Sequence, residues 1–173
     1  MAKHYTQKEA RFQVEFRPSA QATAHSGQLA VNALFQQCGL WPRIPWGDTI
    51  SESQANYFGD PDYYSYDLGP AGFNAAFDTG VFPYTSPVGW FGPNGYGLFD
   101  MAGNVFEWCC DWYGTPYGQP TTTDPTGPAT GTYRLLRGGN WYGYPDLARC
   151  AARDYYYPLY PSDYYGFRCV RGF

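Results

Sequence analysis

The chain has 173 residues, enough for one domain with a core of its own and short for two. Aromatic residues make up 21% of it and charged residues 15%, with 21 glycines and 15 prolines, a balance that favours loops and short strands over a helical bundle. A formal net charge of -4 without a Lys/Arg cluster argues against nucleic acid as a partner; with no apolar run long enough to cross a bilayer and no signal-peptide core in "MAKHYTQKEARFQ", the chain reads as soluble, without membrane insertion.

"RFQVEFR" (11–17) alternates Phe12, Val14 and Phe16 with polar residues and predicts a strand with one buried face, ended by Pro18. "SGQLAVNALFQQCG" (26–39) spaces Leu29, Val31, Leu34, Phe35 and Cys38 in a helical rhythm between a Ser26 N-cap and Gly39. From 41 to 100 the chain is a series of turns, "PWGD", "FGDPD", "LGPAG" and "GPNGYG", of a length that needs aromatic packing or an ion to hold it. "NVFEW" (104–108) reads as core, and "RLLRGGNW" (134–141) and "YGFRCVRGF" (165–173) read as short closing strands.

The five cysteines, Cys38, Cys109, Cys110, Cys150 and Cys169, contain no C-x-x-C pair and no Cys/His spacing for zinc. Small apolar packing and one or two disulfides both remain open for them.

The most distinctive stretch is "ARDYYYPLYPSDYYGFR" (152–168), with Tyr155, Tyr156, Tyr157, Tyr160, Tyr164 and Tyr165 among prolines and acids. Tyrosine presents a large amphipathic face at low entropic cost, and Ser, Gly and Asp adapt the polar contacts, the vocabulary of antibody loops. The alternative is half-buried packing in an aromatic fold, and alternate residues can do each.

"SPVGWFGPNGYGLFDMAGNVFEWCCDWYG" (86–114), "DPTGPATGTYRLLRGGNW" (124–141) and "YGFRCVRG" (165–172), preceded by "IPWGD" and "ANY", resemble the signature blocks of the formylglycine-generating-enzyme family, or sulfatase-modifying-factor domain. The resemblance implies an α+β, loop-rich, C-type lectin-like fold with short strands and one or two helices. It would be a single domain over 1–173 with a shortened N-terminal part (1–43). The family's oxidases carry two copper-binding cysteines soon after "RGGS"; here "RGG" is followed by "NWYGYPDLARC", with no thiolate at either position, so no copper is expected. With only His4 and His25, a mononuclear iron enzyme is disfavoured as well.

The C-terminal blocks are more similar to another branch, the variable proteins of diversity-generating retroelements: "RGGNW" (137–141), Pro145, "RCAAR" (149–153), Pro158 and "GFR" (166–168) match their order. That resemblance implies a variable binding region over 137–168. Its ligand-facing residues would be Trp141, Tyr142, Gly143, Tyr144, Asp146, Leu147, Asp154, Tyr155, Tyr156, Tyr157, Leu159, Tyr160, Ser162, Asp163, Tyr164 and Tyr165. Template-adenine replacement in AAC codons never yields Lys, Glu, Gln, Met or Trp, and none occurs between 142 and 165. The resemblance also implies a structural Ca2+ site at Asp100, Gly103, Val105 and Glu107, although the same residues can cap turns without an ion, and a Cys38–Cys169 disulfide, with Cys150 bridging Cys109 or Cys110 as the next candidate. The expectation is a non-enzymatic binder of an unknown protein or surface ligand, at a virion or cell surface. A pseudoenzyme or divergent oxidase, and a structural, oligomeric subunit of such a surface, are the alternatives.

Overall fold

The computed structural model describes residues 44–115 and 127–169. The expected strand at 11–17, the helix at 26–39 and Cys38 lie outside them, and no helix occurs among the described residues. The described fold is made of six short strands: β1 (Phe58–Gly59), β2 (Gly72–Phe73), β3 (Phe106–Trp112), β4 (Arg134–Arg137), β5 (Asp154–Tyr156) and β6 (Tyr165–Gly166).

β1 and β2 form an antiparallel pair, and the others a four-stranded sheet in the order β5-β4-β3-β6. β4 runs antiparallel to both neighbours, and β3 pairs in parallel with β6. The predicted strand at 134–141 is β4, shortened because Gly138 and Gly139 turn with φ of 92° and 78°. Leu135 and Leu136, adjacent and so on opposite faces, are both buried, which a strand covered on both sides requires. β3 begins within the expected core of "NVFEW": Phe106 is buried, whereas Trp108 and the preceding Val105 are half-buried. Its buried positions switch from Phe106 to Cys109 and Asp111, and the ladder slips between Trp108 and Trp112, so a bulge carries the change of face.

The long turn-rich stretch is fastened by asparagines. Asn56 is buried, donates its amide to the Tyr84 carbonyl at 2.7 Å and accepts the Asn104 amide on its own carbonyl. Asn104 holds Ser86 by both its amide and its carbonyl, with side-chain distances of 2.8 and 3.2 Å. Asn94 accepts from Tyr96 and Leu98, and Asn74 spans from Ala76 to the Glu52 carbonyl. Amide side chains stand in for the missing backbone ladders, so buried loop groups keep partners. At Gly103, φ is 74° and an added Cβ would lie 2.3 Å from the Asn56 carbonyl oxygen, so the close approach of these two loops requires glycine.

Two apolar clusters fill the interior. One joins Ile44, Ile50, Ala55, Tyr57, Ala102 and Ala148. The other joins Phe77, Tyr84, Phe91 and Trp141, flanked by Phe73 and Tyr164. Among the described residues no disulfide joins Cys109, Cys110, Cys150 and Cys169 to one another, which corrects the expected bridge from Cys150 to Cys109 or Cys110; the expected Cys38–Cys169 pair involves Cys38, outside the described residues.

Candidate binding surface on the C-terminal segment

After Gly139 the chain alternates between residues that anchor it and residues that it presents. An added Cβ at Gly139 would press within 3.1–3.2 Å of the Leu147 and Ala148 backbone, and Asn140 accepts the Tyr142 amide at 2.9 Å. Trp141 is 1% exposed: its amide donates to the Asn104 carbonyl and its indole N–H to the Asp163 carbonyl. Pro145 and Ala148 are buried too. Between and beyond these anchors Tyr142, Tyr144, Tyr155, Tyr156, Tyr157, Leu159 and Tyr160 face outward, Leu159 with 93% and Tyr160 with 62% of its surface exposed.

Two expected contact residues are corrected. Trp141 lies beneath the surface, and Gly143 is buried, donating its amide to Asn140 and accepting the Phe58 amide. Asp146, Leu147, Asp154, Ser162, Tyr164 and Tyr165 are half-buried at the margin, and Asp163 is exposed.

The tyrosines belong to two ring clusters. Tyr142 and Tyr164 pack on each other at 5.8 Å and both on Trp141, whose ring also meets Phe73 and Phe82. Tyr144 reaches Phe58 and Tyr64. On the sheet side Tyr155 stacks between Tyr113 and Tyr133, while Tyr156 meets Tyr157, Tyr160 and Tyr165, and Tyr165 leans on Trp108. Tyr133 donates its hydroxyl to Tyr157 at 3.1 Å. The neighbours Tyr164 and Tyr165 join different clusters, because successive side chains of the extended chain point opposite ways. Sequence reasoning missed Phe58, Tyr64, Phe73 and the exposed Phe82; the only sign of them was their place among the turn signals of 41–100.

Carboxylates stand among these rings. Burial raises the Tyr164 hydroxyl above the ordinary phenol range, with Asp163 adding to it, and it raises Tyr165, with Tyr156 and Asp154 adding. Tyr64 is pushed up to about 12 by burial and by the charge and hydrogen bond of Asp146. The phenols therefore remain protonated donors throughout the physiological range.

Of the groups expected to hold calcium, the Glu107 carboxylate and the Asp100 carbonyl lie around a side chain of the protein. Arg168 donates Nε to both oxygens of Glu107 at 3.0 Å and Nη2 to Oε1 at 2.6 Å. It also donates to the Phe99 and Asp100 carbonyls at 2.9 and 2.7 Å. Glu107 thus has both oxygens engaged by a guanidinium, and the Gly103 amide is turned to Gly138. Asp100 caps the Gly89 amide with Oδ2, and burial holds its carboxyl above the usual range. In this arrangement the Glu107 carboxylate is engaged by a guanidinium and the Asp100 Oδ1 is buried without a hydrogen-bond partner among the described residues; Asp100, Gly103, Val105 and Glu107 show no formed calcium site, while calcium is compatible with the family match.

A four-stranded sheet carrying asparagine-fastened loops and an outward aromatic segment defines a C-type lectin-like domain. It superposes on Treponema denticola variable protein 1 with a TM-score of 0.58 and 27% identity, over 83% of this chain and 45% of that one. Residues 36–173 match the sulfatase-modifying factor enzyme 1-like domain, and the chain belongs to that family. It is 40% identical over 133 residues to the serine/threonine-protein kinase pkn1 of Chlamydia caviae, covering 75% of this chain and 18% of the relative. It is 36% identical over 138 residues to the formylglycine-generating enzyme of Thermomonospora curvata, covering 74% of this chain and 42% of the enzyme. The chain thus spans less than half of the length of these curated relatives.

Proposed function

We propose that the chain is a non-enzymatic ligand-binding domain that displays residues 142–165 as a variable, tyrosine-rich face on a C-type lectin-like scaffold. The observation that carries this reading is the division of labour within 139–160. Gly139, Asn140, Trp141, Pro145 and Ala148 are buried, whereas Tyr142, Tyr144 and Tyr155–Tyr160 are exposed. A catalytic cleft would converge on polar groups, whereas this segment spreads rings outward, as binding loops do.

The thiols support the same conclusion. Residues 140–144 contain no cysteine, and burial pushes the Cys150 thiol up to about 11, opposite in direction to what a nucleophile or copper ligand needs. The partner is a protein or another surface ligand, met at a virion or cell surface.

The reading is tested by sequencing the coding locus. The expected result is a near-identical repeat of the DNA for 137–168 beside a reverse-transcriptase gene, differing from the coding copy at template adenines. A locus without such a repeat and gene contradicts the variable-face reading. Cysteine-peptide oxidation with copper and oxygen would restore the oxidase alternative.

A further inference from the structure

The described residues hold twelve Asp and Glu against five Arg and no Lys, a formal balance of -7. The five arginines all have partners within the chain. Arg168 is clasped by Glu107, Arg137 and Arg153 donate to the carbonyls of Cys150 and Gly114, Arg149 donates to that of Asp146, and Arg134 holds the Cys110 carbonyl. Asp146, Asp154 and Asp163 are approached by neutral donors. The Tyr64 hydroxyl meets Asp146, the Tyr155 amide donates to Asp154 at 2.7 Å, and Ser162 Oγ meets Asp163 at 3.4 Å. Such partners orient a carboxylate and leave its charge in place.

The rings themselves suit cations. The Arg134 guanidinium carbon lies 3.6 Å from the centre of the Trp112 ring, and that of Arg153 lies 4.9 Å from the centre of Tyr113. Tyr113 stacks at 4.1 Å on Tyr155, the first exposed ring of the outer cluster. The rings that continue outward, Tyr156, Tyr157 and Tyr160, carry no guanidinium from the described residues, and Asp154 shares a strand face with Tyr156, both acting on Tyr165. A ring face with a nearby carboxylate attracts a guanidinium or ammonium by quadrupole and charge together.

We infer that this face recognises a basic segment of a partner protein, seating arginine or lysine side chains on the tyrosine rings and pairing them with Asp154 and Asp163. The inference rests on the reading of residues 142–165 as a binding face and adds the chemistry of the partner.

Its test uses the whole chain and two defined probes, an acetylated and amidated Arg-Gly repeat peptide and its Glu-Gly counterpart, titrated by calorimetry. The Arg-Gly peptide is expected to bind and the Glu-Gly peptide not to. Binding weakens as sodium chloride is raised, and the double variant Asp154→Asn, Asp163→Asn weakens it roughly tenfold, about 1.4 kcal/mol. Equal or tighter binding of Glu-Gly, no binding of Arg-Gly, or indifference of properly folded Asp154→Asn, Asp163→Asn protein overturns the inference. Tyr156→Ala and Tyr160→Ala separate the two levels. If they abolish Glu-Gly binding, the face binds but its partner is not basic; if no substitution changes either peptide's binding, the binding-face reading falls as well.

Discussion

Trp141 shows how a single residue divides the segment. It was expected to touch a ligand, yet its ring is surrounded by Phe73, Phe82, Tyr84, Tyr142 and Tyr164. Trp141→Ala should cost about 3–5 kcal/mol, read as a fall in melting temperature, and should loosen Tyr142 and Tyr164 together. The exposed Tyr160→Ala should change stability by less than about 1 kcal/mol in the same melt. Sequence alone identified both residues as large aromatics beside a scaffold block, and only burial separates them. A second residue-scale feature was illegible. Glu52 carries a buried oxygen without a hydrogen-bond partner, and burial, with the charge of Asp67 adding, raises its carboxyl to about 7. Because the folded state then holds the proton more tightly than the unfolded one, stability should fall as pH rises from about 5 to 8. Glu52→Gln should remove that slope, leaving the variant the more stable at pH 8. A wild-type melting temperature that climbs over this interval, unaffected by the substitution, would contradict the assignment.

At the scale of elements, the joint between β3 and β6 holds the end of the described chain against the sheet. β6 pairs in parallel with β3 through Phe106↔Tyr165 and Glu107↔Gly166, and Arg168, two residues on, closes on Glu107. Truncating one partner leaves a half-buried charge unpaired, so Arg168→Ala should cost about 2–4 kcal/mol in denaturant unfolding. Since a guanidinium already neutralises Glu107, adding EGTA should leave the wild-type melting temperature unchanged. A large fall with EGTA would show that the ion suggested by sequence resemblance is needed after all. β4 was legible because "RLLR" is apolar, short and bounded by paired glycines. β3 was not, since its bulge breaks the period-two pattern from which strands are read. β5 was hidden for a related reason: Asp154-Tyr155-Tyr156 has no apolar/polar alternation, and both tyrosines pack on other rings, from opposite faces.

Over the whole molecule, the scaffold was legible in the family blocks and the loops in the turn chemistry, but not which loop rings would meet the C-terminal segment. Phe58, Tyr64, Phe73 and Phe82 come together with Tyr142 and Tyr144 only through long-range folding, which no local pattern encodes. The resulting face combines aromatic area with carboxylates that meet neutral donors among the described residues, and its identity lies in side chains that the scaffold does not need for support. That separation of scaffold from face is the central claim, and a paired replacement experiment addresses it most directly. In one set, Tyr142, Tyr144, Tyr156, Leu159 and Tyr160 are exchanged together for mixtures of Asn, Ser, Asp and Ala; in the other, Gly139, Trp141, Pro145 and Ala148 are exchanged one at a time. Melting temperatures of both sets are then measured. The account predicts that most members of the first set melt within about 5 °C of the parent, and that each member of the second loses far more or fails to fold. The opposite pattern, with the exposed set collapsing and the buried positions tolerant, would show the tyrosines to be structural packing and would contradict the binding-face account.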